Sequence, residues 1–143
     1  MIKILFVCHG NICRSPMAEY VLKDMAREAG VSEQLEIASV ATSCEELGNP
    51  VYPPALRELR SHGVAVGNHR ARQITKGDVA RFDRIYYMDS KNARNLAWMF
   101  PQDVDKFQPF LPRDVADPWY SGDFSQTWLD IQEGCGRILK EVL

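Results

Sequence analysis

The feature that most restricts how this chain can fold is an apolar strand running into a cysteine, a short loop, and an arginine at the head of a helix. Residues 2–7 (Ile-Lys-Ile-Leu-Phe-Val) are β-branched and apolar, read as a buried strand, and end at a Gly-Asn turn signal. Ser15-Pro16 then reads as a helix start, with Ser as cap and Pro at the first helical position. Ala18, Val21, Leu22, Met25 and Ala29 recur on one helical face, and Gly30 is the expected stop.

The remaining pattern alternates in the same way. Leu35–Val40 predicts a second strand, followed by a loop through Gly48-Asn49-Pro50 and a short helix over Ala55–His62 that Gly63 closes. Asp83–Met88 predicts a third strand. Ser90 is the expected cap of a helix carrying Ala93, Leu96, Ala97 and Phe100 inward. A weaker strand falls near Val104–Phe110. The last helix is expected from about Asp123, with Gln126 completing a capping box. Its inward face is Phe124, Trp128, Ile131, Cys135, Ile138 and Val142, with Gly134 and Gly136 each costing about 1 kcal/mol relative to Ala. Strands alternating with helices imply a single α/β domain over residues 1–143, a parallel sheet covered by helices on both faces. Ligands of such sheets bind beyond the carboxyl ends of the strands, which is where the loop after the first strand lies.

Composition narrows the function classes. A formal net charge of −2 over 143 residues excludes bulk attraction to nucleic acid or anionic membrane, so any anion affinity must be local. The longest apolar runs fall short of the roughly 20 residues of a membrane span, and the N-terminal run is too short for a signal peptide. The expectation is a cytoplasmic monomer. The four cysteines, Cys8, Cys13, Cys44 and Cys135, contain no C-x-x-C. The three histidines are not at zinc-finger spacing from them, so no structural zinc is expected.

Cys8-His9-Gly10-Asn11-Ile12-Cys13-Arg14-Ser15 has the form C-x5-R-S. The motif alone is short, but here a strand enters it and an amphipathic helix leaves it. Gly10 and Asn11 allow unusual backbone angles. Such a loop aims several backbone N–H groups at one point beside the positive helix end, which makes it a phosphate-binding loop. Free thiols titrate near 8.5, whereas the nucleophile is the thiolate. The N–H groups, the helix terminus and Arg14 all favour negative charge on Cys8, and the same donors suit the equatorial oxygens of a transferring phosphoryl group. Arg14 supplies a bidentate fork that Lys lacks. Ser15 can donate its hydroxyl to Cys8, and Asn11 can fix the loop through side-chain to backbone bonds. Cys13 either packs at the helix start or forms a reversible disulfide with Cys8 under oxidation.

At this point the chain resembles the low-molecular-weight protein tyrosine phosphatases over essentially its whole length. The resemblance rests on Val7–Ser15, Ala41-Thr42-Ser43 followed by Gly48-Asn49-Pro50, Ala71-Arg72-Gln73-Ile74, Met88-Asp89 and Asp117-Pro118-Trp119-Tyr120. It implies a four-stranded parallel sheet and metal-free hydrolysis of phosphotyrosine in proteins through a phosphocysteine. Asp117 is then the general acid and later the base, a role for which Asp78, Asp83, Asp89, Asp114 and Asp123 compete on sequence alone. Trp119 and Tyr120 become aromatic walls of the cleft, and the Tyr120 position is one that can be phosphorylated in the family. Ser39 and His69 match positions that support the loop from behind.

Two departures stand out. Ala38 replaces the Asp that usually precedes the serine matched by Ser39, which bears on the hydrogen bonds expected among Ser39, Asn11 and His69. Where an aromatic commonly follows the Thr-Ser pair, this chain has Cys44-Glu45-Glu46, implying an open, acidic rim that favours basic neighbours of phosphotyrosine.

Family-like arsenate reductases need further cysteines after mid-chain, and none lies between Cys44 and Cys135. Protein-arginine phosphatases resemble the loop but carry Thr at the position of Ile12. A non-catalytic phosphate-binding module is the other alternative.

Overall fold

The computed structural model describes residues 1–143. Strands β1 (Ile2–Cys8), β2 (Leu35–Ala41), β3 (Arg84–Tyr87) and β4 (Phe107–Pro109) form one parallel sheet in the order β2-β1-β3-β4. The central strand β1 pairs with β2 along its whole length and with β3 from Ile4 to Val7.

Because successive side chains of a strand point to opposite faces, β1 builds two cores at once. Ile4, Phe6 and Cys8 face the larger core, shared with Tyr86, Met88 and helices α1 (Arg14–Glu28), α2 (Pro53–Ser61) and α6 (Phe124–Val142). Leu5 and Val7 face the smaller one, with Val40, Ile85 and residues of α3 (Lys76–Arg81) and α4 (Ser90–Met99). Ile4, Leu5, Phe6 and Val7 are all fully buried. At about 1.5–3 kcal/mol for each large apolar side chain removed from water, this strand anchors the domain. It also delivers Cys8 to the end of the sheet on the α1–α6 side.

Several expected boundaries shift. The first helix starts at Arg14, not at a Ser15 cap: Cys13 occupies the cap position with no side-chain bond, and the Ser15 hydroxyl is used elsewhere. At the other end Gly30 does stop α1, with φ +73° and a Val31 N–H to Ala26 carbonyl bond of 2.9 Å. Asp89, not Ser90, caps α4, through a reciprocal bond with Asn92. The weak fourth strand is only Phe107–Pro109, because Val104–Lys106 forms a single 3₁₀ turn. Asp123 caps α6 by accepting from the Gln126 N–H, while the Gln126 side chain turns to Asp130. Two short helices were not expected: α3, with a Thr75–Asp78 capping box, and α5 (Pro118–Ser121).

Gly134 has a reason the sequence pattern does not show. A Cβ there would lie 2.2 Å from the ring of Phe110, which packs edge-on against Phe6 at 5.6 Å. Gly136 has nothing within 4 Å. Gly134→Ala is therefore expected to destabilise by about 1–3 kcal/mol through overpacking, while Gly136→Ala gains about 0.5–1 kcal/mol. Thermal melts of the two variants check this; equal shifts of the same sign would contradict it.

Candidate active site

The turn from β1 into α1 is built around Asn11. It is the only non-glycine residue with positive φ, +60°, a conformation that Asn tolerates better than most residues. Its side chain is completely buried and fully used. Nδ2 donates to Ser15 Oγ at 2.8 Å and to Ser39 Oγ at 2.9 Å, and Oδ1 accepts from the Arg72 N–H at 3.2 Å. Its carbonyl accepts from His69 Nε2 at 2.7 Å. Ser39 in turn donates to Glu19 Oε1 at 2.6 Å, and Lys23 donates to the other oxygen. The support behind the loop is thus complete despite Ala38, with Glu19 on α1 as its terminal acceptor.

Ser15 Oγ lies 3.0 Å from Cys8 Sγ, and the Ser15 N–H donates to the same sulfur at 3.4 Å. Since Asn11 already donates to Ser15, the hydroxyl proton goes to one of two acceptors, the sulfur or the Val40 carbonyl at 3.4 Å.

Arg14 is 2% exposed. Its Nη1 donates to Asp89 Oδ2 at 2.7 Å and to the Val115 carbonyl at 2.8 Å, and Nη2 reaches Asp117 Oδ2 at 3.3 Å. Burial works against its charge, but Cys8, Asp117 and Asp89 outweigh it and hold the guanidinium protonated. Burial likewise opposes the Asp89 carboxylate, yet the bonds from Arg14 and the Asn92 N–H keep it below its ordinary range. In contrast, burial and the neighbouring Cys8 push the Cys13 thiol up, so it is protonated at neutral pH. Cys8 and Cys13 are both free thiols.

Asp117 comes from the segment that follows the edge strand β4. It caps α5, with Oδ1 accepting from the Trp119 N–H at 3.0 Å. The Asp-Pro turn and the approach to Arg14 are therefore one structure. Trp119 and Tyr120 follow, 51% and 82% exposed, and Tyr52 packs behind Trp119 with ring centres 4.9 Å apart. One cleft is lined by Cys8, His9, Gly10, Ile12, Cys13 and Arg14 at its base, with Glu45, Glu46, Asp117, Trp119 and Tyr120 around it. Asn11, Ser15, Ser39 and His69 lie behind it, outside that lining. No three His, Cys, Asp or Glu side chains are grouped to hold a metal, and no helix is long and apolar enough to cross a membrane.

Glu19, Asp89 and Tyr52 are the site residues that sequence reasoning missed. A carboxylate one turn after Ser15 on the buried side of α1 was a readable signal for Glu19. Asp89 was in view as part of the Met88-Asp89 motif and as a rival acid, without its bond to Arg14, and nothing local marked Tyr52.

A thiol and a buried arginine at the start of a helix, with a carboxylate across the cleft, define a cysteine-based anion site on a doubly covered parallel sheet. A model of the family described as low molecular weight phosphotyrosine protein phosphatase matches residues 3–143. The chain is 33% identical over 150 residues to the low molecular weight protein-tyrosine-phosphatase YfkJ of Bacillus subtilis, covering 99% of this chain and 96% of that protein. The crystal structure of YfkJ superposes with a TM-score of 0.96, covering 99% of this chain and 94% of that one. SP-PTP, a low molecular weight protein tyrosine phosphatase from Streptococcus pyogenes, superposes at 0.94 with 39% identity, covering all of this chain and 94% of that one. A structure of the arginine phosphatase YwlE, 24% identical, shares the fold at 0.87, covering 99% of this chain and 95% of that one. The chain belongs to the low molecular weight phosphotyrosine protein phosphatase family.

Proposed function

We propose that this protein hydrolyses phosphotyrosine in proteins through a phosphocysteine on Cys8. The observation that carries the reading is the convergence, in one cleft, of Cys8, Arg14 and Asp117, with the Ser15 hydroxyl oxygen 3.0 Å from the sulfur. In the first step Cys8 Sγ attacks phosphorus as the bond to the phenolic oxygen breaks. Arg14 and the loop N–H groups hold the three equatorial oxygens, and Asp117 gives its proton to the leaving phenolate. In the second step Asp117, now a carboxylate, takes a proton from water as that water attacks the phosphocysteine. The departing thiolate is stabilised by Ser15 and its N–H.

Ile12 favours a planar phenol over the forked guanidinium of phosphoarginine: it lines the cleft and is 7% exposed, leaving no hydroxyl and little spare width there. The test is kcat/KM on a phosphotyrosine peptide and its phosphoarginine counterpart, with a chelator present. A preference for phosphotyrosine of about 10²-fold or more is expected, on the scale of pocket discrimination against a substrate of the wrong shape. Equal or reversed preference would establish the arginine phosphatase alternative, and binding without turnover would establish the phosphate-binding module.

A further inference from the structure

Glu45 and Glu46 line the same cleft as Trp119 and Tyr120. Each is tied down by one oxygen. Glu45 Oε2 accepts from His9 Nε2 at 2.7 Å, and Glu46 Oε2 accepts from Asn49 Nδ2 at 2.6 Å. The stem of Glu46 also lies on the phosphate loop, where a Cβ on Gly10 would come within 3.3 Å of its Cγ. The loop carrying both acids is fastened to the same place by its backbone: the Ser43 N–H and hydroxyl both donate to the His9 carbonyl, at 3.1 and 2.8 Å.

Most other clustered acids of the chain are paired with Arg or Lys, such as Asp78 with Arg72 and Asp130 with Arg113. The rim pair is not: Glu45 meets only His9, and Glu46 has no cationic partner within 4.0 Å. Two fixed carboxylates beside an anion site repel a bare aryl phosphate. A cation carried by the substrate next to its phosphate turns that repulsion into attraction.

We infer that Glu45 and Glu46 are a specificity-determining pair that reads Lys or Arg flanking the phosphotyrosine, with His9 and Asn49 as the residues that position them. This rests on the phosphotyrosine reading above. Exposed charge pairs contribute little each, so two of them amount to a preference of about five- to ten-fold at low salt.

The experiment compares kcat/KM on matched phosphotyrosine peptides carrying Lys or Glu at the flanking positions, at low and high ionic strength. Wild type is expected to favour the Lys peptide by about five- to ten-fold, falling towards unity at about 1 M salt. Glu45→Gln/Glu46→Gln should abolish the ratio. His9→Gln, which keeps a donor for Glu45, should retain it, and His9→Leu should lower it by about half. Each ratio is internal to one variant and so is independent of how much of that variant is folded.

A wild-type ratio near one, or a ratio that survives in the double variant, overturns the inference. A His9→Leu ratio equal to wild type overturns the role of His9. Turnover of both peptides without charge preference removes this inference alone. Failure of every phosphotyrosine peptide removes the function it rests on as well.

Discussion

Cys8→Ser is expected to lower turnover of p-nitrophenyl phosphate by about 10⁴-fold or more, the scale seen when an enzyme loses its nucleophile. Phosphate binding should persist. The argument turns on what the substitution leaves intact. Arg14 remains fixed by Asp89 and the Val115 carbonyl, and the Asn11 and Ser15 bonds that shape the loop do not depend on sulfur. The cradle survives while its nucleophile becomes a hydroxyl, which needs a base to be activated. Within hydrogen-bonding distance the sulfur has only Ser15, a donor here and no base. Steady-state kinetics and calorimetric titration with inorganic phosphate check both halves. Activity within ten-fold of wild type would refute the phosphocysteine route, and lost phosphate binding would show that the thiolate itself organises the loop.

Asp117→Asn should act differently on different leaving groups. Turnover of phenyl phosphate is expected to fall by about 10²- to 10⁴-fold, the usual contribution of a positioned general acid. Turnover of p-nitrophenyl phosphate should fall far less, because nitrophenolate leaves without a proton. Asn is the informative replacement because it can still accept the Trp119 N–H and cap α5. A loss from misplaced Trp119 and Tyr120 would hit both substrates equally. An equal loss would therefore assign Asp117 to architecture and reopen the search for the acid.

The two glycines of α6 and the two ends of the phosphate loop show where sequence reasoning stops. β1, the loop and the α1 stop at Gly30 were readable because each is a local signal: an apolar run, a short motif, a residue suited to positive φ. Ser15 and Ser90 both carry the sequence signal of a cap, but a serine near a helix start has two uses for its hydroxyl, and only tertiary packing decides between them; for Ser15 the expected contact with Cys8 is the use it takes. For Ser15 the nearby sulfur and Asn11 decide; for Ser90, Asp114 holds the side chain and Asp89 takes the cap. Gly134 looked like a helix defect, because the Phe110 ring that requires it arrives from a distant loop. Within the site, Cys8 and Arg14 followed from spacing and chemistry. Asp117 could be singled out among several aspartates only through the family pattern. Glu19 and Tyr52 act across long sequence separations, where no period reaches them.

The first two and a half turns of α1 are enclosed on nearly every side, from Arg14 through Leu22 without an exposed residue. Most helices of small α/β domains fray or breathe at their ends, and amides there exchange with solvent through local opening. Here the helix head that carries Arg14 and the Ser15 N–H has no outer face to peel away, so its local opening is expected to be suppressed relative to the exposed end of the same helix. A bound oxyanion then adds to the stability of the entire protein by mass action.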